Sequence, residues 1–446
     1  MHVSAIHFSN CFRNVCIEKR RFAFRRSQTN KNRTRQAEKQ TKISMATTLN
    51  NNTFKTMDPD ITVVTATVVG AIPMPAPRPA LPKGRSTRVN LPKQKSYKLQ
   101  LDEILALQDQ GFTKGLAETL TNNNAIFPLR IWIVDNSGSM RIADGHRIVE
   151  TNNKNNVKLV DCTRWSEIQQ TVEYHAEMAY LLKAPTVFRL LNDPGKIVGP
   201  QQFSIGVDGD KTIDEELAIA LQTMKNASPG GVTPLAEHVR EIRTNVESME
   251  ASLRQDGTKV AIVLATDGLP TDSQGRCDSR TKRDFTEALR SLEGLPIWVV
   301  VRLCTDEDDV VEFYNDLDAQ LELSVEVLDD FTQEAKEVFA MNKWLNYTLP
   351  LHRCREMGYH NRLFDLLDER LLSQDELREF LFLIFGEDNF DGVPDPQANW
   401  KGFMKSITDI VGREKKQWNP ITKKLNPWID LKKLDKAYKK KGCEIM

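Results

Sequence analysis

Five oxygen-bearing side chains, Asp135, Ser137, Ser139, Thr233 and Asp267, have the chemistry to hold a hard cation. Three of them come as Asp-x-Ser-x-Ser, directly after the apolar run Ile131-Trp132-Ile133-Val134. A buried parallel strand ending there would deliver a carboxylate and two hydroxyls to its C-terminal tip. Open α/β sheets place their ligand sites at such tips, and hard oxygen ligands suit Mg²⁺ or a similar cation. Asp-x-Ser-x-Ser alone is a weak signal, because Asp, Ser and Thr-Pro also cap helices and fill turns. Two later segments strengthen it. Thr233 stands in the loop Gly230-Gly231-Val232-Thr233-Pro234-Leu235, just before a helix, and Asp267 follows a second apolar strand ending at Ala265. Capping accounts for any one of these loops more easily than for all three in this order.

With these residues the chain resembles the von Willebrand factor A family. Its metal-ion-dependent adhesion site uses an Asp-x-Ser-x-Ser loop, a threonine loop and a later aspartate. The resemblance implies that Ser137, Ser139 and Thr233 ligate a metal directly or in alternation. It implies that Asp135 and Asp267 bind it directly or through water. It further implies Mg²⁺ (or Mn²⁺/Ca²⁺) with an open coordination position, completed by an Asp or Glu carboxylate from a protein partner. The likeness covers residues 125–340, about half the chain. It departs from the family in the long segment between the first two loops, where Met140 to Lys158 is polar and rich in Asn.

The elements that must position these residues alternate along the chain. Strands are expected near 129–134, 186–191, 202–207, 260–265, 297–303 and 324–328. Helical periodicity runs through Trp165, Ile168, Val172, Ala176 and Ala179, and helices are expected near 213–225, 235–253, 282–292 and 310–314. This predicts an α/β fold: a doubly wound, mostly parallel, Rossmann-like sheet over 125–340 with helices on both faces. A short helical segment, 99–124, is expected to pack on it. Residues 341–430 read as a helical C-terminal region, with apolar residues at helical spacing over 361–385. Residues 431–446 form a polybasic tail. Glu387 to Gly392 hints at a calcium loop but lacks the ligand alternation and terminal glutamate of an EF-hand, so it reads as a turn. Residues 1–98 are basic, then rich in proline, and read as disordered.

Lys plus Arg and Asp plus Glu both number 61, but the charges are not evenly spread. Residues 1–44 carry eleven basic side chains against Glu18 and Glu38, and residues 413–441 carry eleven against three acidic ones. The middle is therefore acidic, which attracts cations and argues against nucleic-acid binding. Seven scattered cysteines without Cys-x-x-Cys point to reduced thiols rather than a zinc module or a disulfide framework. No apolar run reaches the length of a membrane span, and Arg13 and Lys19 interrupt any signal-peptide core. Residues 1–44 read as a transit-type peptide, a disordered tail or an extension ahead of a start at Met45, the last being favoured. Pro73 to Pro82 is a polyproline-type stretch that reads as a linker in preference to a ligand for an SH3-like partner.

The terminal Cys443-Glu444-Ile445-Met446 fits a prenylation signal of farnesyl type, with Lys432, Lys433, Lys436, Lys439, Lys440 and Lys441 upstream. A single lipid chain with a basic patch holds a protein on an anionic membrane surface. The expected position is therefore cytoplasmic, peripheral on the cytoplasmic face of a membrane. A genuine transit peptide at 1–44 would instead send the chain to an organelle. The expected function is a metal-dependent adaptor or scaffold and not an enzyme. The alternatives are a regulatory subunit of a ubiquitin- or ATPase-linked complex and a metal-assisted hydrolase. There is no His-Glu-x-x-His, phosphate-binding loop or Gly-x-Ser-x-Gly elbow. His175-Ala176-Glu177 opens a deaminase-like signature that no Pro-Cys-x-x-Cys completes, so His175 is expected on a helix surface or at the core edge.

Overall fold

The computed structural model describes residues 89–92, 99–150, 157–305 and 307–439. Its centre is a six-stranded sheet in the order β5-β4-β1-β6-β7-β8. The strands are β1 (Leu129–Val134), β4 (Thr186–Leu190), β5 (Gln202–Ile205), β6 (Val260–Thr266), β7 (Ile297–Leu303) and β8 (Val325–Leu328). All neighbours pair in parallel except β5, which lies antiparallel on the β4 edge. Counted within the sheet, the order is third, second, first, fourth, fifth, sixth, that of a doubly wound sheet.

Every residue of β1, β6 and β7 is buried, as expected of strands covered on both faces. Their side chains divide by the two-residue period. Leu129, Ile131 and Ile133 pack with Val260, Ile262 and Leu264 against α5 (Leu235–Asp256), α6 (Ser279–Arg290) and α7 (Asp308–Gln320). Trp132 and Val134 pack on the opposite face with Ala261 and Val263, against α3 (Arg164–Leu181) and α4 (Ile213–Asn226).

The polar stretch after β1 is more ordered than its composition suggests. It holds a 3-10 turn, Gly138–Arg141, and an antiparallel hairpin of β2 (Gly145–Glu150) and β3 (Val157–Cys162). Ile148 and Leu159, opposite each other in register, turn toward the protein, while Val149 and Val160 are exposed. Gln170 of α3 grips the hairpin by accepting from Ile148 N at 2.9 Å and donating to Ile148 O at 2.7 Å.

The helical pair α1 (Leu101–Asp109) and α2 (Lys114–Ile126) was expected to pack on the sheet domain. It does meet Met178 and Leu182 there, but it also joins the core of the C-terminal helices. Those helices are α8 (Phe331–Met341), α9 (Leu349–Glu356), α10 (Arg362–Glu369), α11 (Gln374–Phe385), α12 (Trp400–Arg413) and α13 (Leu431–Tyr438). Leu107, Phe112, Leu116 and Leu120 share that core with Phe380, Leu381 and Ile384. Thr113 caps α2 and donates its hydroxyl to the carbonyl of Ile384. Gly115 permits the approach: a Cβ there would lie 2.3 Å from the backbone nitrogen of Gly386.

The helical stretch expected over 361–385 is broken into α10 and α11, because Ser373 and Glu376 form a capping box that starts a new helix. The C-terminal region also contains a short hairpin, β9 (Gln417–Asn419) with β10 (Lys424–Asn426). Glu387–Asn389 is a single 3-10 turn.

A buried ionic cluster joins the sheet to α9. Glu356 accepts from Arg353 at 2.7 Å and lies 3.0 Å from His175 of α3 and 3.4 Å from Arg302 of β7. Arg302 also pairs with Glu167 of α3. Burial opposes the charge on Glu356, yet Arg353, His352 and His175 hold its carboxyl well below the usual carboxylate range. His175 is therefore neither on the surface nor at the core edge, being 3 % exposed.

The disorder expected over residues 1–98 falls outside the described residues except at 89–92. There Val89 is buried and donates its N–H to Asn245 of α5 at 3.2 Å. Cys443, Lys440 and Lys441 also lie outside the described residues. Among the described residues no helix is long and apolar enough to cross a membrane.

Candidate metal centre

Asp135 is the first residue after β1, and Asp267 the first after β6. These strands are neighbours, with Val134 opposite Ala265. The sheet's winding reverses between them, which is where doubly wound folds open a crevice for ligands. Two distant segments thus deliver two carboxylates to one place because their strands pair.

Asp135 is completely buried. Its N–H donates to Ala265 O at 2.8 Å. One carboxylate oxygen accepts the N–H of Ser137 at 2.8 Å, and the other accepts the hydroxyl of Thr266 at 2.6 Å. The hydroxyls of Ser137 and Ser139 lie 3.0 Å apart, and Ser139 donates to Asp267 Oδ1 at 2.9 Å. Asp135, Ser137, Ser139 and Asp267 therefore form one continuous hydrogen-bonded chain.

Thr233 stands in the adjoining loop, 5 % exposed. Gly138 N–H donates to Gly231 O at 3.2 Å, and Gly230 N–H to Asn136 O at 2.7 Å. Backbone bonds thus stitch the threonine loop to the β1 loop. Asn136 and Asn192 complete the seam: Asn136 Oδ1 accepts Asn192 N–H at 2.8 Å, and Asn192 Nδ2 donates to Val232 O at 2.8 Å. Gly231 has φ +94°, and a Cβ there would lie 2.4 Å from Asn192 Oδ1, so the turn requires glycine. Thr233 N–H donates to Thr271 Oγ1 at 2.9 Å, tying this loop to the segment after β6.

Burial is the largest influence on the charge state of both carboxylates. Burial, and after it the charge of Asp267, push the Asp135 carboxyl up to about 6, against the hydrogen bonds from Thr266 and Ser137. Burial also raises Asp267, while hydrogen bonds from Arg164 and Ser139 pull it down. A hydroxyl that gives its proton to a carboxylate keeps its lone pairs for a cation, and Ser139 is disposed in that way. Among the described residues no group of three or more His, Cys, Asp or Glu side chains is placed to hold a metal ion by itself. A cation here would need the hydroxyl oxygens as well as the two carboxylates. The donors are all oxygen, so the set fits a hard cation such as Mg²⁺.

Arg164, the first residue of α3, had no place in the sequence-based site. Its side chain is 2 % exposed and donates to Asp267 Oδ2 at 3.0 Å. It also pairs with Asp144, ahead of β2, at 2.6 Å and with Glu307, ahead of α7, at 2.7 Å. An arginine opening a helix opposes the helix dipole; that was the available sign that it answers to acidic partners elsewhere. Nothing comparable in the sequence marks Thr266 or Asn192.

No family model matches the chain, and no curated protein matches it. Among solved structures it is similar to the PilB minor pilin from Streptococcus sanguinis, at 13% identity and a TM-score of 0.32, over 55% of this chain and 62% of that one. A point mutant of the same pilin gives 14% identity and a TM-score of 0.32, over 54% and 61%. The chain spans about three fifths of the length of these structures. Likeness of this degree carries no argument about function.

Proposed function

We propose that this protein is a metal-dependent protein-interaction module of the von Willebrand factor A type. The observation that carries the reading is the single hydrogen-bonded chain from Asp135 through Ser137 and Ser139 to Asp267 at the reversal point of the sheet. When bound, Mg²⁺ would supply an electrophilic position for an Asp or Glu carboxylate of a partner protein. The residues of this chain do the rest. Ser137, Ser139 and Thr233 offer neutral oxygens, which leave the charge of a cation largely unspent. Asp267 orients the Ser139 hydroxyl by accepting its proton, and Asp135 and Asp267 provide the attraction. Burial keeps competing water few and strengthens each interaction.

The second part of the proposal is a peripheral membrane position. Leu434 docks α13, while Lys432, Lys433, Lys436 and Lys439 are exposed. Each lysine near an anionic leaflet adds about 1 kcal/mol, and a prenyl group on Cys443 would supply the complementary anchor. Pelleting with phosphatidylserine vesicles that is salt-sensitive and lost in C443S would agree. Pelleting unchanged in C443S would refute the lipid anchor.

The metal reading is tested by capturing partners with the full chain in Mg²⁺ and in EDTA, alongside D135A and T233A. Both variants should stay folded, since these side chains sit at the tip of the sheet, and both should lose the partners that EDTA removes. Partners indifferent to EDTA and to both substitutions would refute it.

A further inference from the structure

Resting on the metal reading above, we propose that Arg164 is a built-in counter-cation that limits how tightly the site holds its metal and so keeps that metal electrophilic. Three loops converge on this one guanidinium, through Asp144, Asp267 and Glu307. Only Asp267 among the three is fully buried; the side chains of Asp144 and Glu307 are 47% and 57% exposed. Water screens the outer pairs, whereas the pair with Asp267 is buried, and there the charge of Arg164 acts on the carboxylate that also receives Ser139.

The buried charges at the centre are then Asp135, Asp267 and Arg164, one net negative charge. A divalent ion would leave one net positive charge, available to a partner's carboxylate. Without Arg164 the same ion would be neutralised within the site, held harder, and less attractive to that carboxylate. Arg164 acts as a positioning residue through Asp267, the carboxylate it contacts.

The sign of its effect separates this role from a structural one. A brace around the site would weaken metal binding when removed. A counter-cation would strengthen it, because a positive charge beside the metal is taken away. The experiment is Mn²⁺ titration of the full chain, reading the free ion by its paramagnetic resonance signal, for wild type, R164Q and R164K. Thermal unfolding of each variant is recorded in parallel. The expected result is Mn²⁺ affinity about tenfold tighter in R164Q and near wild type in R164K, which keeps the charge. The double variant R164Q/E307Q removes one charge of each sign. It spares the fold an unpaired carboxylate and should also bind more tightly than wild type. Weaker or unchanged affinity in folded R164Q or R164Q/E307Q would overturn the proposal while leaving the metal site standing. Absence of Mn²⁺ binding by wild type would overturn the metal reading itself, and this proposal with it.

Discussion

Ser139 and Asp267 are 128 residues apart in sequence and joined by a 2.9 Å hydrogen bond. The bond exists because β1 and β6 pair in register and both end at the same level of the sheet. It binds two of the sequence-expected site residues to one another.

The pairing has a cost that can be measured. Asp135 is driven to about 6 from a usual value of 3.8 by burial and by Asp267. A carboxyl raised in the folded state binds its proton more tightly there than in the unfolded chain. Its ionisation therefore removes stability as pH rises from about 4 to about 6. In the metal-free protein at neutral pH, D135N should be more stable than wild type by about 1–3 kcal/mol. The proposed metal site requires that Mg²⁺ stabilise the wild type, and D135N should lose that gain. Urea unfolding with Mg²⁺ and with EDTA measures both. A metal-free D135N less stable than wild type would show that its two accepted hydrogen bonds outweigh the repulsion.

His175 makes the opposite contribution to pH dependence. Burial pushes its imidazole down to about 4 from 6.5, against the pull of Glu356. Nε2 faces Glu356, and Nδ1 has no hydrogen-bond partner among the described residues, as suits a neutral ring. The unfolded chain takes up the proton first, so stability is complete above about pH 6.5 and falls as pH drops toward 4, by about 3 kcal/mol. Replacement by H175Q removes that loss. The stability deficit of H175Q relative to wild type should shrink or reverse between pH 7 and pH 4.5 in denaturant titrations. A deficit constant across that range would show that folded His175 accepts its proton as readily as the unfolded residue.

Glu356 holds the sheet and the C-terminal helices together through Arg353, Arg302 and His175. Removing one partner of a buried ion pair strands the others, which typically costs 3–5 kcal/mol. E356A should fall about that far in chemical unfolding, whereas D284A, in the exposed pair with Arg240, should lose about 1 kcal/mol or less. Equal losses would mean that solvent reaches the Glu356 cluster.

Several elements are legible in the sequence. The strands β1, β6 and β7 are continuous apolar runs because both of their faces are covered, and α3 shows its buried stripe directly. The hairpin of β2 and β3 was not legible. Its inward residues, Ile148 and Leu159, are each followed by an exposed valine, Val149 and Val160, which hides the alternation, and pairing across the hairpin and the grip of Gln170 give it order. The break at Ser373 could have been read from its capping box, but the apolar spacing on either side masked it.

By itself the sequence determined which oxygens lie at the ends of which strands, because an apolar run followed by Asp-x-Ser-x-Ser or Thr-Asp-Gly is local information. The tertiary structure decided which charges share a site. Arg164 meets Asp267 and Glu307 across 103 and 143 residues, and His175 meets Glu356 across 181. Such pairs leave no periodicity in the chain. They form where folding removes water around groups brought together by the sheet, and burial then sets their charge states as much as residue type does.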